Sequence, residues 1–143
     1  MLKAKVENLG VDPNSGGVVV LLRAENGKLL PIWIGALEGQ NIAIALAGEK
    51  PPRPLTPDLL LSVLEMLGAR LARVEITELK EGTFYARLVV EHRGIEYEID
   101  ARPSDALALA LRAEAPILVD EKLLEEAAVE EAQVEPQGGV AEA

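Results

Sequence analysis

The chain contains no cysteine, which excludes a disulfide framework, a thiolate metal site and a cysteine nucleophile. Histidine is almost as scarce. The single one, His92, precedes the turn signal Arg93-Gly94, so a histidine-rich zinc site cannot be built and any Ser-His-Asp triad would have to pass through it. A solvated turn residue is the simpler role for His92. Only four aromatics occur, Trp33, Phe84, Tyr85 and Tyr97, which argues against a base-stacking platform and assigns Phe84 and Tyr97 to a sheet. There is no Walker loop, no Gly-x-Gly-x-x-Gly and no Gly-x-Ser-x-Gly. The apolar runs are far shorter than a membrane span, and Met1–Glu7 alternates like a strand instead of carrying a signal-peptide core. A soluble, cytoplasmic protein without a membrane partner is expected.

What is present points to a packed fold. With 143 residues, 49% of them hydrophobic, the chain is long enough for one ordinary domain with a core. The net charge of −10 is unevenly placed. From Asp120 onward eight acids face one base, whereas the first 119 residues carry sixteen acids and thirteen bases. The body is therefore near neutral, which leaves room for a local basic patch but argues against a strongly basic surface. The acidic C-terminal stretch reads as a solvated helix; the alternative is that it lies over arginines as a phosphate mimic. Abundant Glu, Arg and Pro with few amides point to a thermophilic source.

Residues 3–9, 18–24 and 29–34 read as strands, the last two joined by the hairpin signal Asn26-Gly27. Gly35 ends the third strand, and Ala36–Ala47 reads as a short buried helix closed by Gly48. Glu49–Pro54 is a stiff loop with three prolines, and Thr56 as N-cap with Pro57 first opens a helix to about Leu67. Strands at 69–79, 83–91 and 95–100, linked by Glu81-Gly82 and Arg93-Gly94, predict an antiparallel meander. A helix at 104–113, an extended Pro116–Val119, a last helix from Glu121 to about Ala132 and a frayed tail over 133–143 complete the reading. The order predicts an α+β domain with a mixed, mostly antiparallel sheet and helices packed against it. The domain is placed at 1–125, with an acidic helix end and tail at 126–143.

The most informative stretch is Asp100-Ala101-Arg102-Pro103-Ser104-Asp105, followed by an Ala/Leu helix fit only for a core. Two carboxylates, a guanidinium and a hydroxyl stand at the mouth of that helix. Asp58, Arg53, Glu38 and Gln40 come from the neighbouring segments. Carboxylates converging near helix N-termini suit Mg²⁺ or Mn²⁺, and arginines beside them can clamp a phosphate. Each residue also has a structural use, since first-turn aspartates cap helices and Arg102 can tie Asp100 or Asp58 to its own segment. Arg53-Pro54 and Arg102-Pro103 repeat one device, an arginine held extended by proline before a helix, which suggests that both face something shared.

Five ordered blocks resemble the bifunctional nuclease domain family. They are Leu30-Pro31-Ile32-Trp33-Ile34-Gly35, Arg53-Pro54-Leu55-Thr56-Pro57-Asp58-Leu59-Leu60, Gly82-Thr83-Phe84-Tyr85-Ala86, Asp100–Ala106 and Ala115-Pro116-Ile117. The resemblance implies an α+β fold, commonly a homodimer, and, for characterised plant members, RNase and DNase activity. Two departures stand out. Pro57 occupies the place of a usual histidine, and Gly39 replaces a usual alanine after Glu38, which would loosen the first helix.

The leading expectation is a metal-dependent nuclease or phosphodiesterase acting on RNA or DNA. In it Asp58, Asp100 and Asp105 hold Mg²⁺ or Mn²⁺, Arg53 and Arg102 bind phosphate, and Ser104 orients a water or ligand. The alternative is a non-enzymatic dimeric binding module for a small anionic ligand or partner. A third reading makes the polar junction purely interfacial.

Overall fold

The strand signals close into one sheet in the computed structural model, which describes residues 1–130 and 140–141. β1 (Leu2–Val11), β2 (Val18–Ala24) and β3 (Leu29–Ile34) form one antiparallel meander; β4 (Ala69–Lys80), β5 (Thr83–His92) and β6 (Ile95–Ala101) form a second. The three-residue β7 (Ile117–Val119) joins them, antiparallel to β1 and parallel to β4. The resulting order is β3-β2-β1-β7-β4-β5-β6, with the short β8 (Val140–Ala141) paired to β1. This is the mixed, mostly antiparallel α+β arrangement that the sequence predicts. Both turns of the second meander have positive φ at both residues, 52° and 78° at Glu81-Gly82 and 53° and 79° at Arg93-Gly94. That geometry matches the twist of the flanking strands.

Four helices, α1 (Ala36–Leu46), α2 (Thr56–Met66), α3 (Pro103–Ala113) and α4 (Glu121–Ala127), accompany the sheet. α3 lies among α1, α2, β4 and β5, which is why Ala106–Ala110 are all buried and the helix has no charged face. Its ionisable residues stand only near its ends. α1 closes with Gly48 at φ 69°, where the Gly48 and Glu49 N–H groups donate to Ala45 and Ile44 carbonyls. Gly39 is where α1 meets β2. A Cβ there would come within 2.9 Å of the Val18 Cβ, so glycine serves close packing and does not merely loosen the helix.

Two boundaries differ from expectation. Leu55, not Thr56, is the N-cap of α2, and the Asp58 carboxylate accepts the Leu55 N–H at 2.9 Å. α4 stops at Ala127 instead of running to about Ala132. Ala128 is extended, and the Val129 N–H donates to the Leu29 carbonyl at 2.8 Å, so backbone pairing with β3 replaces the next helical turn. The absence of a basic residue in the last turn also leaves the helix C-terminus uncompensated. The predicted tail lies outside the described residues except for Val140–Ala141, which pair with β1.

The sheet face away from α3 carries an ion-pair ladder. Glu75 is buried between Arg73 and Arg87, which continue outward to Glu96 and Glu98. No helix among the described residues is long and apolar enough to cross a membrane.

Candidate functional site

α1 and α3 begin in the same way. Each follows a residue in extended conformation, Gly35 at φ −73° and Arg102 at φ −74°, and neither N-terminus receives a side-chain cap. The cause is chemical, since glycine has no side chain and arginine has no acceptor. First-turn N–H groups therefore remain for water or ligand. Both N-termini open on one groove of about 290 Å³, lined by Ile32, Trp33, Ile34, Gly35 and Glu38, by Arg102–Ser104, and by Gly82–Phe84 at the β4–β5 hairpin tip.

Glu38, Thr83, Arg102 and Ser104 are the polar residues that line this space. Arg102 is 67% exposed, and its Nε and Nη2 both reach one oxygen of Asp105 at 3.1 Å, which leaves Nη1 open. Ser104 is only 5% exposed, yet its hydroxyl makes no hydrogen bond among the described residues. The Glu38 carboxylate folds back over Gly35, in space that a side chain at position 35 would fill.

Trp33 forms the aromatic wall. Along β3, Leu30 and Ile32 point into the core while Trp33 points out and is 62% exposed. The period-2 alternation of Leu30-Pro31-Ile32-Trp33 contains that signal; the count of aromatics alone hid it.

The structure brings together Arg102, Ser104 and Asp105 of the expected site residues, beside Glu38. It separates the others. Asp58 accepts from Arg112 Nε at 3.0 Å, at the far end of α3. Arg112 lies seven helical steps beyond Asp105, about 10 Å at the standard helical rise. Asp100 pairs in register with Arg87 and lines a hollow of about 250 Å³ with Thr77, Glu78, Tyr85, Ala86, Arg87 and Glu98. Strand alternation turns it away from the helix-bearing side. Arg53 is exposed and is not among the groove-lining residues, nor is the buried Pro57. Among the described residues, no group of three or more His, Asp or Glu side chains could hold a metal ion. Asp58, Asp100 and Asp105 therefore do not fit a shared Mg²⁺ or Mn²⁺ centre. Sequence reasoning also missed Arg112, whose partner lies 54 positions away.

Comparison with known proteins agrees with the five sequence blocks. Residues 19–132 match the family model described as the bifunctional nuclease domain. An uncharacterized protein of Mycobacterium tuberculosis is 43% identical over 128 residues, covering 89% of this chain and 76% of its own length. Bifunctional nuclease 1 of Oryza sativa subsp. indica is 31% identical over 109 residues, covering 73% of this chain and 33% of the rice protein. Bifunctional nuclease 1 of Arabidopsis thaliana is 26% identical over 109 residues, covering 74% of this chain and 34% of the plant protein. The chain thus spans about a third of the plant nucleases that it matches. On this match, which covers most of its length, the chain belongs to the bifunctional nuclease domain family.

Proposed function

We propose that this chain is a nuclease that holds a phosphodiester of RNA or DNA in the groove between the N-termini of α1 and α3. The observation that carries the reading is the convergence of Arg102, Ser104 and two uncapped helix N-termini on one hollow. Phosphate oxygens would take hydrogen bonds from Arg102 Nη1, the Ser104 hydroxyl and first-turn N–H groups. Glu38, the carboxylate among the lining residues, is assigned as the base that accepts a proton from the attacking water as the water oxygen bonds to phosphorus. The bond from phosphorus to the leaving sugar oxygen breaks, and that oxygen takes a proton from solvent. Charge developing on the phosphoryl oxygens falls to Arg102. A divalent ion enters this proposal only as one recruited with substrate phosphate, because Mg²⁺ commonly uses one or two protein carboxylates and keeps several waters. A cytoplasmic setting belongs to the same proposal, supported by the absence of cysteine.

Labelled single-stranded RNA and DNA, incubated with Mg²⁺, Mn²⁺ or EDTA, test the reading. Wild type should cleave; Glu38→Gln should lose about 100-fold in kcat, the lower range for a general base, while still binding. Ser104→Ala should weaken both binding and turnover. A folded wild type that cuts neither nucleic acid under any of these conditions would replace this reading with the non-enzymatic anion-binding module.

A homodimer is part of the proposal, and one surface suits it. Tyr97 and Ile99 of edge strand β6 pair in register with Val90 and Leu88, which are buried, yet are themselves exposed. Leu59, Val63 and Met66 of α2 and its C-cap Leu67 are exposed as well. A second copy covering β6 would bury Tyr97 and Ile99 and protect the free strand edge. Light scattering on Tyr97→Glu should report a monomer where wild type gives a dimer.

A further inference from the structure

We propose that the groove takes one unpaired nucleotide, its base stacked on the Trp33 indole and its phosphate on Arg102 and Ser104. The substrate class is single-stranded nucleic acid or a base turned out of a duplex. This rests on the nuclease reading and specifies what that site recognises.

Trp33 is far more exposed than Leu29, which shares its face of β3 by strand alternation. Leu29, Leu30 and Ile32 of β3 are at most 2% exposed, whereas the largest side chain on the strand is 62% exposed. Trp33 is also among the residues that line the groove together with Arg102 and Ser104. Gly17 lies beside the ring, where a Cβ would stand in ordinary contact with Trp33 Cε3 at 3.8 Å.

Ser104 supplies an independent observation. Its residue is nineteen-twentieths buried, it lines the groove, and its hydroxyl is unpartnered among the described residues. The hydroxyl itself is not sealed from solvent, so at the groove it is free to donate and to accept a hydrogen bond. The groove accordingly has two chemical ends. Trp33, Ile34 and Phe84 make an aromatic and aliphatic end, and Arg102 with Ser104 makes an end for an anion. A nucleotide has the same two halves, a flat π-face and a phosphate.

Size selects the class. About 290 Å³ lies at the small end for ligand pockets and takes one nucleotide unit, not a stacked pair. A paired base buries both faces in the stack, so only an unpaired base can present a face to Trp33.

Trp33 is the only tryptophan in the chain, so its fluorescence reports this groove alone. The protein would be titrated with short oligothymidylate, with an abasic deoxyribose-phosphate chain of equal length, and with blunt duplex. Oligothymidylate should quench the emission and bind about tenfold more tightly than the abasic chain, within the range for one stacked base. By anisotropy of labelled strands, Trp33→Ala should lose about that tenfold for oligothymidylate only, and Trp33→Phe should recover most of it. Equal affinity for base-bearing and abasic strands, or for duplex and single strand, would overturn stacking. Cleavage by Trp33→Ala with wild-type KM would overturn it too, while leaving the nuclease reading intact. Base-dependent quenching without any cleavage would support the stacking site and overturn the nuclease reading.

Discussion

Arg102 and Arg112 stand near opposite ends of α3, and each pairs with an aspartate through Nε, at 3.1 and 3.0 Å. Their surroundings differ. The Arg112 side chain is 9% exposed, and it also donates to the Ala108 carbonyl at 3.0 Å. Its partner Asp58 arrives from α2, so the pair clamps two helices. Arg102 is 67% exposed, and its partner lies three residues on in the same helix. It clamps nothing together and keeps Nη1 open toward the groove. The same two side-chain types thus make a structural tie at one end and an accessible cationic face at the other. Burial, not residue type, separates them.

The largest effect is expected where a buried pair is broken. Asp58→Ala strands Arg112, whose Nη2 is already buried without a partner among the described residues, and removes the Leu55 N–H acceptor. Loss of about 3 kcal/mol in urea unfolding is expected, the low end for an orphaned buried charge plus a lost cap. A loss below about 1 kcal/mol would mean that this pair behaves as an exposed one and would dissolve the contrast.

Glu75 sharpens the same comparison on the sheet. Burial pushes its pKa up, but hydrogen bonds from Arg73 and Arg87 outweigh that and hold it below the ordinary glutamate value. The unfolded chain therefore takes up a proton first as pH falls. The contribution is present above the ordinary glutamate range and is lost as pH drops through the lowered folded value. Glu75→Gln should destabilise by about 2 kcal/mol at neutral pH, less than a fully buried pair because both arginines reach solvent. Unfolding curves for the variant should also show a shallower acid slope than wild type.

The smallest effect is expected at the open end. Asp105→Asn keeps an acceptor in the first turn of α3 and loosens only an exposed pair, so stability should change by less than about 1 kcal/mol. Thermal melts check this. Cleavage lost from a variant of unchanged stability would assign Asp105 a part in orienting Arg102 for phosphate, and a melt lowered as far as Asp58→Ala would erase the difference between the two ends.

Much of the fold was legible because its signals are local. The glycines of three hairpin turns, the run of β-branched residues in β2 and the uncharged stretch of α3 each act within a few residues. β7 is different. Three residues, Ile117–Val119, give no periodicity to read, and only docking between β1 and β4 makes them the joint between the two meanders. The end of α4 likewise depended on Val129 meeting Leu29, a contact a hundred positions long. At the site, proximity in sequence predicted the group Arg102, Ser104 and Asp105. It could not place Asp58, which found Arg112, or Asp100, which strand alternation turned to the other face.

By itself the sequence determined the element types, the α+β class, the family and the chemistry gathered at the mouth of α3, because propensity, turn geometry and ordered motifs act over short spans. Only the tertiary structure decided which charges are buried, that two uncapped helix N-termini share one groove, and that Trp33 forms its wall. Those outcomes depend on which distant segments come into contact, and burial is a property of those contacts, not of any residue alone.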